Sequence, residues 1–220
     1  DNWVPEKGSA TMSHYVREDL PFHFALADAF TICDAYHCSA LEMTHPNRLY
    51  MWSGCCGDVD GSQPIMSNSG DGFGWSTYPE RLQNAGISWT VYQDIGLGLT
   101  EANGAGYVSN DPLAGNFNNN VLVLFSQYEN AAESSPLHQN AYTGTNILNS
   151  GGLFDIFRKD VQNGTLPQVS WIVTPEAYSE HPNWIPDYGA WYISQVLDIL
   201  TDNPEIWSKT ALFLTYDEND

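Results

Sequence analysis

Basic side chains are scarce in this sequence. Its 220 residues include 7 Lys and Arg against 27 Asp and Glu, which gives a formal net charge of −20 at pH 7. A chain this acidic repels the phosphate backbone of nucleic acids, and it lacks the basic patch that binds anionic lipid by charge. We therefore expect no nucleic-acid partner.

Long apolar runs and cysteines are also few. No run approaches the roughly 20 apolar residues of a transmembrane helix, so the sequence predicts no membrane span. The four cysteines, Cys33, Cys38, Cys55 and Cys56, form no repeated pair with metal-ligand spacing. They leave two states open, a disulfide such as Cys33–Cys38 or Cys38–Cys55, or a small buried thiol at each position.

Aromatic residues are abundant instead. The sequence has 9 Phe, 12 Tyr and 8 Trp, and 42% of its residues are hydrophobic. Disordered acidic chains lack such residues, so we expect one well-buried core, or part of a larger one. The many Asn and Gly and the few Lys favour an exported bacterial protein, periplasmic or extracellular.

Apolar patterning predicts an alternation of strands and helices. Continuous apolar runs, typical of parallel strands covered on both faces, occupy residues 87–92, 121–125, 169–173 and 210–216. Apolar residues at helical spacing cover residues 17–30, 152–162 and 189–201. The alternation predicts an α/β fold with a mainly parallel sheet flanked by helices, and loops over residues 100–120 and 126–150.

Acidic residues follow the last predicted strand. Ligands of open α/β sheets bind at the carboxyl ends of the strands, which directs attention to Asp94, residues 174–181 and residues 217–220. Asp217 and Glu218 are part of an acidic quartet whose charges repel one another unless water or a cation screens them. This quartet predicts a divalent-metal site, and the alternative is a solvated acidic turn.

A Glu–His pair lies in the segment after the third predicted strand. Glu180 and His181 precede Pro182. A Glu beside a His can tune the imidazole for proton transfer near neutral pH, although a His in a loop is more often structural. The pair is therefore a candidate for general acid–base chemistry at the site.

Thr44 precedes a His-Pro pair and follows a strand-like segment at residues 30–33. This order predicts a helix that starts with Thr44 as the N-cap and Pro46 in the first turn. Such a hydroxyl faces free N–H groups that suit an oxyanion or a phosphate, and the alternative is an ordinary N-cap. A bound metal could activate the hydroxyl, so the three motifs together favour metal-assisted phosphoryl transfer through a phospho-threonine.

The motifs also carry a resemblance. The segment at residues 30–39, the T-x-P-N-R motif at 44–48, S-E-H-P at 179–182 and T-Y-D-E-N-D at 215–220 occur together. In this combination the sequence resembles the bacterial phospholipase C and acid phosphatase family. Within it, the phosphocholine-preferring phospholipases C are the most similar. The resemblance implies an alkaline-phosphatase-like α/β fold.

The resemblance also implies roles for particular residues. Thr44 would be the nucleophile, and Asp217 and Glu218 would bind the metal together with it. Glu180 and His181 would lie near the phosphate and the leaving group. Asn47 and Arg48 match the family motif and would support substrate binding. Trp184, Tyr178 and Trp52 lie near the motifs, and their rings could bind a quaternary ammonium group by cation–π attraction.

Two departures from the family pattern concern the site. Leu41, Glu42 and Met43 stand where the family usually has Gly-rich residues before the nucleophile. The family's N-terminal Glu-Asn metal-ligand motif precedes this chain, and the family sequence continues beyond Asp220. We therefore expect residues 1–220 to be part of a single phosphoesterase catalytic domain that lacks these two pieces.

The predicted activity is phospholipase C-type hydrolysis of phosphatidylcholine-like lipids. One divalent ion would be required, and Asp, Glu and Asn oxygens fit Ca, Mg or Mn while leaving Zn and Fe open. A phospholipid or phosphate ester would be the substrate, compatible with transient contact with a membrane surface. The alternatives are an acid phosphatase acting on monoesters, a catalytically incomplete fragment, and a calcium-dependent binding module. The oligomeric state stays open.

Overall fold

A computed structural model describes residues 3–59, 62–93, 116, 119–144 and 153–218. Helices and strands alternate along these residues, as the apolar patterning predicts. In chain order the elements are α1 (Trp3–Lys7), α2 (Pro21–Ala29), α3 (Thr44–Ser53), α4 (Tyr78–Asn84), β1 (Trp89–Gln93), α5 (Ser126–Glu129), α6 (Pro136–Ala141), β2 (Thr143–Gly144), α7 (Asp155–Asn163), β3 (Val169–Val173), α8 (Pro186–Thr201) and α9 (Pro204–Trp207). Short 3-10 turns cover Ser9–Met12, Val121–Leu124 and Glu176–Tyr178.

The three strands form one parallel sheet in the order β2-β1-β3. Strand β1 pairs with β3 along its whole length, from Trp89 opposite Val169 to Gln93 opposite Val173. Parallel neighbours need a crossover connection, and α5 and α6 lie between β1 and its neighbour β2 in the sequence. The predicted α/β class with a parallel sheet is therefore confirmed.

Two apolar clusters lie on the two faces of this sheet. Successive side chains of a strand point to opposite faces, and neighbouring Val91 and Tyr92 belong to different clusters. The cluster with Val91 includes Leu49 and Trp52 of α3. The cluster with Tyr92 is filled from α7 and α8. This coverage on both faces explains why all five residues of β1, including Thr90 and Gln93, are buried.

The three predicted helices are present with adjusted ends. The pattern at 189–201 belongs to α8, which begins at Pro186, and the pattern at 152–162 belongs to α7. Gly164 ends α7 in the left-handed conformation at φ 68°. Pro21 is the first residue of α2, where its missing N–H costs no helical hydrogen bond.

The predicted strand at 121–125 is wrong. Residues Val121–Leu124 form a 3-10 turn, and the Asn120 side chain accepts a hydrogen bond from the backbone N–H of Leu122. Val121, Leu122 and Phe125 are fully buried. The apolar run correctly indicated burial, but burial alone does not distinguish a strand from a helical turn.

The predicted strand at 210–216 is also wrong for the described chain. These residues have no regular secondary structure, and Leu212, Phe213 and Leu214 are 42%, 80% and 52% exposed. A β-strand needs backbone hydrogen bonds to a neighbouring strand, and none of the described strands pairs with this segment. The strand-like segment 30–33 is likewise irregular and exposed.

The loop predicted at 126–150 contains α5, α6 and β2 and is therefore only partly a loop. Asp94, most of residues 100–120, Asn219 and Asp220 lie outside the described residues. In the part of the chain that the structure describes, no helix combines the length and the apolar character needed to cross a bilayer.

Candidate functional site

Thr44 is the first residue of α3, and its hydroxyl contacts an acidic side chain. The N-cap position is Met43, so the prediction that Thr44 caps the helix is wrong by one residue. The Thr44 Oγ1 hydroxyl instead donates to Glu218 Oε1 over 3.1 Å. Both side chains are half-buried. The structure therefore brings the proposed nucleophile and one proposed metal ligand into contact across 174 residues of sequence.

Arg48 binds the other predicted acidic ligand one helical turn further on. Its Nε donates to Asp217 Oδ2 over 3.0 Å, and its Nη1 donates to the backbone carbonyl of Asn119 over 3.1 Å. Residues four apart share a helix face, so Thr44 and Arg48 face successive residues of the acidic segment. The first turns of α3 thereby position Asp217 and Glu218 together.

Asn47 holds the loop that leads into α3. Its Oδ1 accepts from the backbone N–H of Ala40 over 2.8 Å, and its Nδ2 donates to the carbonyls of Ala40 and Glu42. The side chain is 5% exposed. With the carbonyl of Met43 at 3.4 Å, four backbone groups bind this amide, so it fixes the path of the non-glycine residues Leu41–Met43 ahead of Thr44.

Glu180 joins three separate segments. Its Oε1 lies 2.8 Å from His23 Nε2, and its Oε2 accepts from the Tyr216 hydroxyl over 2.7 Å. The side chains of His23 and Glu180 are 17% and 14% exposed. Glu180 therefore links α2 to the segment that carries Asp217 and Glu218, in a cluster that we call the Glu180 network (His23, Glu180, Tyr216).

The backbone around Glu180 is built for this contact. Glu180 has a positive φ of 63°, which a non-glycine residue rarely adopts. Its carboxylate lies against Gly189 of α8, where a Cβ would come within 2.3 Å of Glu180 Oε1. Glycine at 189 therefore makes room for the Glu180 side chain.

Tyr216 is held as a neutral donor in this network. Desolvation, then the hydrogen bond to Glu180 and the charge of that carboxylate, raise the pKa of the Tyr216 phenol well above its ordinary value. Because Tyr216 directly precedes Asp217, its bond to Glu180 also anchors the acidic segment. Sequence reasoning missed both His23 and Tyr216, since their partner lies 157 and 36 residues away.

The other predicted residues lie in or near the loop after β3. The backbone N–H of His181, an exposed residue, donates to Ser179 Oγ over 3.3 Å. The Trp184 indole N–H donates to Glu176 Oε1 over 3.2 Å. The carboxylate of Glu180 is bound by His23 and Tyr216. The histidine that contacts it is therefore His23, which is distant in sequence, and not the adjacent His181 of the predicted pair.

The aromatic candidates differ in their surroundings. Trp52 is 1% exposed and stacks on Trp171 at 4.8 Å between ring centroids, so it is part of the core. Tyr178 packs against Trp191 and Tyr192 of α8, with ring centroids at 5.4 and 5.6 Å. Trp184 and Tyr178 are both half-buried, so of the three candidate rings these two keep partial access to solvent.

The donors available for a metal are oxygens. Within the described residues no group of three or more His, Cys, Asp or Glu is arranged to hold an ion. Thr44, Asp217 and Glu218 nevertheless supply a hydroxyl and two carboxylates around the start of α3. These are hard ligands of the kind that Ca, Mg and Mn prefer, but fewer than the six or so such ions take.

The four cysteines are free thiols. Cys56 is fully buried and donates its thiol to the carbonyl of Ile65, whereas Cys33 is exposed. The structure shows no disulfide among the four cysteines, and the predicted alternative of a small buried thiol holds only for Cys56.

Comparisons with known proteins find bacterial relatives that match the whole chain. The chain is similar to the non-hemolytic phospholipase C of Burkholderia pseudomallei, at 59% identity over all of this chain and 31% of the relative. It is 41% identical to the hemolytic phospholipase C of Pseudomonas aeruginosa, over all of this chain and 31% of the relative. It is 38% identical to phospholipase C A of Mycobacterium tuberculosis, over all of this chain and 41% of the relative.

The chain thus spans less than half the length of these curated relatives. A family model, described as the Phosphoesterase family, matches residues 1–220. Because that match runs over the whole chain, the chain belongs to the phosphoesterase family.

Proposed function

We propose that the full-length protein is a phospholipase C that hydrolyses phosphatidylcholine-like lipids with Thr44 as the nucleophile. The single observation that carries this proposal is the 3.1 Å hydrogen bond from Thr44 Oγ1 to Glu218 Oε1 at the start of α3. A threonine hydroxyl attacks phosphorus only if its proton has an acceptor, and here a carboxylate already accepts it. The names of the relatives supply the reaction class.

In the first step Thr44 Oγ1 attacks phosphorus as its proton passes toward Glu218. The bond from phosphorus to the diacylglycerol oxygen breaks, and that oxygen takes a proton from His181. The head-group phosphate stays on Thr44 as a covalent ester. The Glu180 network supports the loop that carries His181, because Glu180 is its neighbour and is bound to α2 and to Tyr216.

In the second step water attacks the phospho-threonine and gives its proton to His181. Thr44 leaves phosphorus and recovers its proton from Glu218, so both side chains are restored and the products are diacylglycerol and the phosphorylated head group. The same imidazole acts as the acid in the first step and as the base in the second, two roles that histidine commonly combines in general acid–base catalysis.

Thr44, Asp217 and Glu218 would hold the divalent cation that the family implies. Such an ion, when bound, lowers the pKa of the hydroxyl and screens the negative charge of the phosphate. Arg48 orients the Asp217 carboxylate through its 3.0 Å bond. We propose that further ligands come from parts of the protein outside the described residues, and that residues 1–220 form part of one catalytic domain.

The proposed substrate also bears on where the protein acts. A phospholipid substrate requires contact with a lipid surface, and the relatives named here are bacterial phospholipases C. We therefore propose an exported protein that meets membranes transiently. An acid phosphatase would act through the same residues, and the ratio of diester to monoester hydrolysis separates the two activities.

The test is Thr44→Ala in the full-length protein, with Thr44→Ser and Thr31→Ala as controls. Loss of the nucleophile should lower kcat by about 10⁴-fold or more, whereas serine keeps an attacking hydroxyl. Thr31 is exposed and lies outside the site, so its substitution should leave kcat unchanged. Near-normal hydrolysis of a phosphatidylcholine substrate by Thr44→Ala would exclude this mechanism.

A further inference from the structure

The irregular segment that leads into α3 exposes large apolar side chains. Residues 30–43 contain no helix or strand, and we call them the apolar segment. Leu41 and Met43 are 90% and 48% exposed, and Leu41 is the most exposed large apolar side chain in the described part of the chain. The same segment contains three more apolar side chains that are over half exposed, namely Phe30, Ile32 and Tyr36. Exposed apolar side chains are common one at a time, whereas several in one segment indicate a surface that meets a partner.

The end of the apolar segment nearest Thr44 has a fixed backbone. The Asn47 side chain binds the backbone N–H of Ala40 over 2.8 Å and the carbonyls of Ala40 and Glu42 over 3.0 and 3.1 Å. Leu41 lies between these two bound residues, so its backbone is held on both sides while its side chain is exposed. A surface that is already ordered loses little conformational entropy when it binds a partner.

Leu41 and Met43 lie beside the proposed nucleophile. They precede Thr44 by three residues and by one, and the half-buried Glu42 stands between them. The Thr44 hydroxyl contacts Glu218 at the start of α3. Under the proposed function, the phosphate of a lipid must reach this hydroxyl. Because that phosphate lies in the head-group layer just outside the hydrocarbon core, the protein surface around Thr44 has to enter this layer.

The charges of the apolar segment select the kind of lipid surface. The segment contains Asp34 and Glu42 but neither Lys nor Arg, and the whole sequence has a net charge of −20. Anionic lipids bind proteins through clusters of basic residues, which this segment lacks. A zwitterionic surface has no net charge to repel the carboxylates, and apolar side chains bind it by leaving water for the boundary between head groups and acyl chains. The segment therefore fits a zwitterionic surface better than an anionic one.

We infer that Leu41 and Met43 insert into the head-group layer of a zwitterionic lipid surface and so bring Thr44 to the lipid phosphate. The inference rests on the proposed function and adds to it the part of the protein that meets the membrane. The competing occupant of this surface is the rest of the full-length protein, because the chain spans 31% of the length of its Burkholderia pseudomallei relative. The two occupants predict different effects of a polar side chain at residue 41.

The first experiment measures how full-length variants at residue 41 bind lipid vesicles. The vesicles consist of a phosphonate analogue of phosphatidylcholine, in which carbon replaces the glycerol oxygen that would leave, so hydrolysis does not affect the result. Leu41→Ser should weaken binding at least about fivefold, because the burial of a leucine side chain in the lipid is lost. Leu41→Trp should bind at least as tightly as the native protein, since tryptophan favours the membrane interface.

Met12→Ser is the control for this experiment. Met12 is 63% exposed and lies outside the apolar segment, so its substitution should leave vesicle binding unchanged. Native protein that does not bind these vesicles would overturn the inference. The same holds if Leu41→Ser binds them as tightly as the native protein or as Met12→Ser.

The second experiment separates the lipid surface from the rest of the protein as the occupant. It compares kcat/KM on phosphatidylcholine vesicles with kcat/KM on a short-chain phosphatidylcholine below its micelle-forming concentration. Only the vesicle reaction requires docking, so the ratio of the two should fall at least about fivefold in Leu41→Ser. If the rest of the protein covers Leu41, serine there disrupts a packed contact instead, and Leu41→Ser unfolds at a lower temperature and loses both activities together. That result, or an unchanged ratio, would contradict docking through this residue.

The docking surface and the proposed mechanism fail in different ways. Binding to the phosphonate vesicles does not depend on turnover. If Thr44→Ala keeps its hydrolytic activity while vesicle binding depends on Leu41, the nucleophile is misassigned and the docking surface stands. If Thr44→Ala is inactive while Leu41→Ser binds vesicles like the native protein, the mechanism stands and the docking surface is wrong.

Discussion

The hydroxyl of Thr44 and the carboxylate of Glu218 meet across 174 residues of sequence. The sequence suggested both residues because each lies in a recognisable motif. It did not suggest that Arg48 binds Asp217, nor that Asn47 is occupied by backbone groups of the preceding loop. Hydrogen bonds between distant segments depend on how the elements pack, which no local pattern encodes.

At the residue scale, the reactivity of the Cys56 thiol tests whether this side chain is buried as the structure shows. Burial raises the pKa of its thiol above the ordinary value, so the thiolate fraction at mildly alkaline pH is small. Below the raised pKa the thiol is protonated and unreactive, and reactivity appears only as the pH rises through it. Iodoacetamide at about pH 8 should therefore modify the exposed Cys33 well before Cys56.

Peptide mapping by mass spectrometry measures that order, and labelling in guanidinium chloride is the control. Unfolding removes the burial, so the two cysteines should then react at similar rates. Equal labelling of Cys33 and Cys56 in the native protein, or a disulfide that blocks either of them, would contradict the structure at these positions.

At the scale of elements, Gly189 allows α8 to pack closely against Glu180 in the loop before it. A Cβ at residue 189 would come within 2.3 Å of Glu180, whose carboxylate is already bound to His23 and Tyr216. Gly189→Ala should therefore displace Glu180 and lower the free energy of unfolding by about 1–3 kcal/mol. This loss should appear although alanine favours a helix by up to about 1 kcal/mol over glycine.

Gly74→Ala is the matched control, because no atom lies within 4 Å of a Cβ built there. Its free energy of unfolding should change by no more than about 0.5 kcal/mol. Chemical denaturation of the full-length variants measures both values. Gly189→Ala that is as stable as Gly74→Ala and fully active would show that the Glu180 network is not needed.

Three apolar runs show which features of secondary structure a sequence pattern predicts and which it does not. The run at 169–173 became β3 because a neighbouring strand pairs with it along its length. The run at 121–125 has the same apolar character but folds as a 3-10 turn capped by Asn120. The run at 210–216 has no partner strand among the described residues. Apolar runs therefore predict burial or pairing potential, whereas the pairing itself is a property of the whole fold.

At the scale of the whole molecule, the 220 residues carry a net charge of −20, which favours cations over anions. Under the proposed function, a lipid phosphate that approaches Thr44 would have to overcome this field, and a divalent ion would be the simplest source of positive charge at the site. The described residues supply only part of a ligand set, so the ion should be removable.

Prolonged dialysis of the full-length protein against EDTA should therefore abolish hydrolysis. Adding back one of Ca, Mg, Mn, Zn or Fe should restore it, and metal analysis should give close to one ion per molecule in the restored protein. Full activity at a metal content far below one ion per molecule would exclude a role for metal in activating Thr44.

Detection of the proposed covalent intermediate is the most direct test of Thr44 as the nucleophile. Full-length protein turning over phosphatidylcholine is quenched in acid within a turnover, digested, and examined by mass spectrometry. The peptide with Thr44 should carry the mass of the phosphocholine group, and the same peptide from Thr44→Ala should not. A substrate-derived adduct on another residue, or steady hydrolysis with none on Thr44, would contradict the assignment of this threonine as the nucleophile.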